Sequence, residues 1–166
     1  MIVAAVDPGV EGAVAFLDTR TGAAHGETLD TGDAVALAEV LRAGTPDVVA
    51  IEVPVGRPPK TGGYAQISRQ WRAIGTAEGV VVALRLPLVR VDPKAWQRVA
   101  FAGRAKPESY AERKRLSLRL ARERWPGAGL DRAKDSGLAD ALFMALTVAS
   151  GGLDAGRTRT KGRSDG

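Results

Sequence analysis

Residues 2–6, Ile-Val-Ala-Ala-Val, form an unbroken apolar run that stops at Asp7-Pro8-Gly9. An apolar run of this length bounded by turn residues reads as a strand buried on both faces. Such a strand needs layers above and below it, so the chain is pushed toward a helix-covered sheet. Gly12 to Leu17 reads as a second strand, a turn follows at Thr19-Arg20-Thr21-Gly22, and Ala23 to Leu29 is a weaker third strand. The short connections predict a three-stranded antiparallel meander. Asp33 then caps a helix carrying Val35, Leu37, Val40 and Leu41 that stops at Gly44, and Asp47 to Val53 is again a buried strand.

Residues 54–63 are rich in Pro and Gly, the composition of a functional loop. A long helix is predicted over Tyr64 to Arg85, with Gly75 and Gly79 on one side packed against the sheet. A short strand from Pro87 to Val91 leads into a helix opened by Asp92-Pro93, with Trp96 inside it. A basic helix spans residues 107–125, with Leu116 and Leu120 as its apolar spacing, and Pro126, Gly127 and Gly129 end it. The last helix, about Gly137 to Ala149, is apolar nearly all round and belongs in the core. The order β-β-β-α-β-α-β-α-α-α predicts an α/β fold with a mixed sheet, the crossover placing strands one and four parallel. Residues 1–150 form one domain, and 151–166 read as a basic, flexible tail.

Composition narrows the chemistry. The 166 residues contain no Cys and a single His, His25. Thiol nucleophiles, disulfides and Cys-based zinc sites are excluded, and a Ser-His-Asp triad would depend on His25 alone. Carboxylates, lysines and hydroxyls must do whatever is done. The 24 Lys and Arg outnumber 19 Asp and Glu, for a net charge of +5 and a pI of about 10.0. That balance favours a polyanionic partner. From Arg157 on, four cations against Asp165 put +3 of the charge in the tail. No run approaches the ~18 apolar residues of a membrane span, and no basic leader precedes the first strand, so a cytoplasmic setting is expected.

Three acids sit in unusual places: Asp7 ends the first strand, Glu52 ends the fourth, and Asp140 lies inside the apolar run Leu138-Ala-Asp-Ala-Leu-Phe-Met-Ala-Leu146. Singly, each has a plain structural reading: a turn residue, a solvated strand end, a helix residue facing water. Together, at the same edge of one sheet, they would repel one another unless a cation neutralised them. Oxygen-only ligands favour Mg²⁺ or Mn²⁺, and such a cluster can activate water against a phosphodiester.

Asp7-Pro-Gly-x-x-Gly12-Ala, Ile51-Glu52 and Lys134-Asp-Ser-Gly-Leu-Ala-Asp140-Ala-Leu, in that order, resemble the RuvC-type Holliday-junction resolvases of the RNase H-like superfamily, in particular their phage-like members. The resemblance covers about residues 1–150. It implies an RNase H-like fold with a five-stranded sheet and helices on both faces. It further implies a homodimer that binds four-way DNA junctions, with two Mg²⁺ or Mn²⁺ per active site. Paired symmetric nicks leaving 5′-phosphate and 3′-hydroxyl ends, with no small-molecule cofactor and no membrane, complete the expectation. Asp7, Glu52 and Asp140 match three of the family's metal-binding acids. The fourth usually lies three or four residues before the last, where this chain has Gly137 and Ser136, so Asp135 becomes the expected fourth ligand. Lys106 resembles a family lysine that reaches the scissile phosphate. The family wedges the junction with an aromatic or apolar residue after the strand-four acid; Val55 stands there, with Tyr64 as an aromatic substitute.

The expected DNA-binding residues are Arg57, Lys60, Tyr64, Arg69 and Arg72 around the loop after Glu52, and Arg104, Lys106, Arg113, Lys114 and Arg115 at the basic helix. Cations beside an acidic cluster suit a nuclease, which must draw a polyanion to a negative site. Trp71, Trp96 and Trp125 read as core or dimer packing. Three other readings compete. One is an RNase H-like nuclease acting on other branched DNA or RNA; another is a non-catalytic junction-binding module. The third, an actin-like ATPase or sugar kinase, also opens with Asp and Gly on a first hairpin but needs a longer chain.

Overall fold

The computed structural model describes residues 1–54, 64–105 and 107–152. Five strands are present: β1 (Ile2–Asp7), β2 (Gly12–Asp18), β3 (Ala24–Leu29), β4 (Val48–Glu52) and β5 (Leu88–Val91). They are joined in one sheet of order β3-β2-β1-β4-β5. The β1/β2 and β2/β3 pairs are antiparallel, while β1/β4 and β4/β5 are parallel. The expected meander and the expected parallel crossover are both present. The helices are α1 (Ala34–Gly44), α2 (Tyr64–Ala83), α3 (Pro93–Ala100), α4 (Tyr110–Arg124) and α5 (Ser136–Ala149), with a 3-10 turn at Ala133–Asp135 before α5. Among the described residues, no helix is long and apolar enough to cross a membrane.

The two faces of the sheet carry separate cores. Ala4, Val6, Val14 and Phe16 pack with Leu37 and Leu41 of α1 and with Ala77 and Val81 of α2. Val3, Ala5, Ala13 and Ala15 pack with α5, which is itself covered by Trp96 of α3 and by Leu118 and Ala121 of α4. This is the period-2 alternation of strands buried on both sides. It has a direct consequence for function. Asp7 has the parity of Val3 and Ala5, and Glu52 has the parity of Val48 and Ala50, so both acids leave the sheet on the α5 side.

Alanines on the strands let α5 lie close to the sheet, and Gly26 completes the approach. A Cβ there would stand 2.5 Å from Leu138 Cδ1 and would overlap the Val14 carbonyl as well. Helix α1 is capped by the Asp33 carboxylate, which accepts from the amides of Val35 (3.0 Å) and Ala36 (3.1 Å). Its end differs from the usual glycine stop. Gly44 is still helical, and Thr45 takes the left-handed conformation at φ 42°. The reason is packing: a side chain at Gly44 would run into the Phe16 ring. Helix α4 starts at Tyr110 rather than 107, because the Ser109 hydroxyl accepts from the Glu112 amide and defines the cap.

One packing expectation is overturned. Gly75 and Gly79 do not lie against the sheet; both face open space, and Ala77, Val80 and Val81 make the sheet contacts instead. The open face also carries Trp71, 45 % exposed, and Val82. Trp96 and Trp125 are in the core as expected.

Candidate active site

The register pairs Val6 with Ile51, so Asp7 and Glu52 leave β1 and β4 side by side at their carboxyl ends. The turn after β1 is held to the end of β3 by the buried Thr31. Its hydroxyl accepts from the Gly9 amide at 2.8 Å, and its own amide donates to the Gly9 carbonyl at 3.1 Å. Helix α5 brings Asp140 in from above, only 1 % exposed. Gly137, one turn earlier, lies against Asp7: a Cβ there would be 2.9 Å from Asp7 Oδ2. The position where the resemblance implies an acid is thus at the cluster, but it holds no side chain.

The centre of the cluster is a cation that sequence reasoning placed only among the DNA-binding residues. Lys114 Nζ donates to Asp140 Oδ2 at 2.6 Å and lies 3.8 Å from Asp7 Oδ2. The Ser117 hydroxyl donates to the other oxygen, Asp140 Oδ1, at 2.6 Å. Trp96 Nε1 reaches Glu52 Oε1 at 3.4 Å, so this core indole also orients a carboxylate of the cluster. The spacing Lys114-Ser117-Leu118-Ala121 is one face of α4 and would have revealed the lysine. Leu116 and Leu120 border that face in the same core.

The electrostatics follow from this geometry. Burial pushes the Asp7 carboxyl well above the usual range; the charges of Glu52 and Asp140 raise it further, and Lys114 opposes them. Glu52 is also raised, first by burial and then by Asp140, against the indole hydrogen bond and Lys114. Burial works to discharge Lys114, but Asp140 and then Asp7 outweigh it and hold the ammonium above the ordinary lysine range. These are the signs of acids gathered more closely than one ammonium can neutralise.

Asp135, the expected fourth ligand, is elsewhere. Its carboxylate accepts from the Arg132 amide (2.6 Å) and from Arg132 Nε (3.0 Å) and Nη2 (2.7 Å), and it does not line the cavity around Asp7, Glu52 and Asp140. Burial alone would raise its pKa, but these bonds hold it below the usual value. The 3-10 turn before α5 rotates Asp135 away and leaves Ser136 and Gly137 at the cavity wall. Glu11 is a further acid on that wall, not singled out from the sequence.

The cavity holds about 640 Å³ around Asp7, Glu52 and Asp140, and its cationic walls are Arg69, Arg113, Lys114 and Lys134. Among the expected DNA-binding residues, Arg69, Arg113 and Lys114 are therefore at the site. Arg104 lies in a neighbouring groove and also, with Arg115 and Arg119, lines a further surface. Arg72 is exposed on α2, and Tyr64, 92 % exposed, begins that helix; neither lines the cavity. Val55, Arg57, Lys60 and Lys106 lie outside the described residues, as does the chain from 153 on.

Comparison with known proteins gives the fold a reference. No protein-family model and no curated protein matches the sequence. Solved structures do match. Thermus thermophilus RuvC in complex with Holliday junction substrate superposes with a TM-score of 0.68 at 22 % identity, covering 93 % of this chain and 96 % of that one. A second Thermus thermophilus RuvC structure gives 0.62 at 21 % identity, over 91 % and 97 % of the two chains. The yeast mitochondrial Holliday junction resolvase gives 0.53 at 15 % identity, over 93 % and 81 %. With its five-stranded mixed sheet, its helices on both faces and this agreement along nearly the whole length, the chain has the RNase H-like fold of the RuvC resolvases.

Proposed function

We propose that this protein is a metal-dependent endodeoxyribonuclease that resolves four-way DNA junctions. The observation that carries the reading is the gathering of Asp7, Glu52 and Asp140, the first and last of them on one ammonium, inside a cavity walled by Arg69, Arg113 and Lys134, on a RuvC fold. A pure DNA-binding module gains nothing from three acids turned toward a phosphate.

The donor set fits a hard divalent cation. It consists of carboxylate oxygens, it carries more negative charge than it neutralises, and Lys114 already stands among its members as a cation. Among the described residues, no three such side chains form a ready-made metal cage, and both Asp140 oxygens are occupied by Lys114 and Ser117. A metal held there would compete with the Lys114 ammonium for Asp140. Asp7, Glu52 and Asp140 would hold Mg²⁺ or Mn²⁺. A second ion would draw on Glu11 and Ser136, because Asp135 is committed to Arg132. When bound, the metal supplies an activated water and neutralises charge on the scissile phosphate. The chain's own groups do the rest. Trp96 and Ser117 fix the directions of Glu52 and Asp140, while Arg113 and Lys134 meet the incoming phosphates, offsetting the repulsion between DNA and acids.

Paired symmetric nicks need two sites, and we propose a homodimer. The open face of α2, with Trp71, Gly75, Gly79 and Val82, supports it: small residues beside an exposed indole allow close approach of a second copy. Trp71→Glu is expected to shift sedimentation from dimer to monomer; a wild-type sedimentation profile would move the interface elsewhere.

The function is tested on a mobile four-way junction with Mg²⁺, beside a flap, a duplex and an RNA–DNA hybrid. Symmetric paired cuts in the junction, leaving 5′-phosphate and 3′-hydroxyl ends, are expected. Equal cutting of all four substrates would replace junction resolution by a general RNase H-like nuclease. Tight junction binding without cutting in either Mg²⁺ or Mn²⁺ would leave a binding module.

A further inference from the structure

A second cavity adjoins the catalytic one. It holds about 600 Å³ between α3 and the start of α4, and Tyr110 and Arg113 wall both cavities. Its floor includes Phe101 and its rim carries Lys94, Arg98 and Arg104. No acid lines it among the described residues. Lys94 and Arg98 are one helical turn apart, with Phe101 following at the next, so α3 presents a stripe that is cationic outside and aromatic at its base. Phe101 is fixed there by an edge-on contact with Trp96 at 6.1 Å.

The Tyr110 ring is placed by cations. The Arg113 guanidinium carbon lies 4.8 Å and Lys114 Nζ 5.8 Å from its centroid, and the residue stays 68 % exposed. Arg113 has no ion-pair partner among the described residues, and its buried Nε has no acceptor. A guanidinium stacked on a mostly exposed aromatic ring, with no ion-pair partner among the described residues, is suited to a phosphate and its attached base.

We infer that this groove takes an unpaired nucleobase, with its flanking phosphates, from the DNA strand that enters the catalytic cavity. The volume is within the range of ~300–1,000 Å³ usual for ligand pockets. The rim matches the charge of the DNA backbone, and the shared walls put the groove one step along the strand from the acids. Only an unpaired base exposes a face that Tyr110 can stack on, so the groove would favour distorted or branched DNA over plain duplex. This inference rests on the nuclease reading for its orientation, but binding tests it without cleavage.

The probe is a single-stranded oligodeoxynucleotide carrying one 2-aminopurine, mixed with the full chain in EDTA at low salt. Wild type and Tyr110→Phe are expected to quench the fluorescence on binding. Tyr110→Ala should lose the quench and bind about tenfold more weakly. Arg98→Gln should keep the quench at saturation while lowering the salt slope of binding by about one. An unquenched wild-type complex, an undiminished quench in Tyr110→Ala, or equal quenching of a paired 2-aminopurine in duplex would each overturn the groove. Quenching that depends on Tyr110 in a protein that cuts no junction would retain the groove and remove the resolvase reading. Junction cleavage with Tyr110-independent fluorescence would do the opposite.

Discussion

Asp7→Asn is expected to lower metal-dependent cleavage about a thousandfold and, at neutral pH, to stabilise the fold. The first effect follows from the site. Asp7 contacts Lys114, lies beside Glu52 and faces Gly137, so it is central to the oxygen set. Losing several kcal/mol of metal-held charge stabilisation lowers turnover about a thousandfold. Junction binding at low salt should persist, because the phosphate-facing cations remain. The second effect has the opposite sign. Burial and the neighbouring acids raise the Asp7 carboxyl, and Glu52 is raised with it. The native state therefore binds protons more readily than the unfolded chain. Wild-type stability should fall as pH climbs from the ordinary carboxylate range, about 4, through the raised native values. Asn carries no charge, so that part of the loss disappears. Thermal melts in EDTA at about pH 5 and about pH 8 should show a smaller drop for Asp7→Asn than for wild type. A variant that cuts junctions at the wild-type rate sinks the site, and one melting below wild type at the higher pH sinks the electrostatic account.

That Asp7, Glu52 and Asp140 gather in one place was legible because each breaks a local rule. An acid closing a strand buried on both faces, or interrupting an apolar helix, needs a partner that its neighbours in sequence do not supply. The parallel crossover then places Asp7 and Glu52 at the same carboxyl edge, and the register that pairs Val6 with Ile51 puts both on one side of the sheet. The same logic failed where rotation about a helix axis decides the outcome. Arg113, Lys114 and Arg115 are consecutive, so their side chains diverge by ~100° each. Lys114 turns to the acids, Arg113 to the groove and Arg115 to a third surface. Composition could mark that segment as cationic but could not separate the three fates. Asp135 was misplaced for a related reason. One 3-10 turn swings it onto Arg132, and the lost intrahelical frame hides this from a count of residues back from Asp140. Gly75 and Gly79 fooled the reading in the opposite direction: helix α2 meets the sheet through Ala77, Val80 and Val81, and the glycines lie on its outer face.

Lys114→Met separates the two roles that a cation can play at such a site. Without metal, the ammonium is the counter-charge for Asp140, which is buried, and for Asp7, which is partly so. Its side chain is 20 % exposed and that of Asp140 is 2 % exposed, so solvent screens the pair only weakly. Removing one partner of such a pair leaves the other charge buried with Ser117 alone, which costs about 3 kcal/mol. For a domain of this size the melting temperature should drop by roughly 6–12 °C in EDTA. Lys134→Met, an exposed residue on the same cavity wall, should change stability by less than about 0.5 kcal/mol. Divalent metal then discriminates. An ion that binds the native state and not the unfolded chain raises the melting temperature by mass action. In wild type it would compete with Lys114 for the acids; in Lys114→Met it would meet three unopposed carboxylates. Added Mn²⁺ should therefore raise the melting temperature of Lys114→Met more than that of wild type, recovering much of what the substitution lost. Equal metal shifts in the two proteins would mean that the ammonium and the metal do not share a place, and the acids would then have to gather the ion on another side of the cluster.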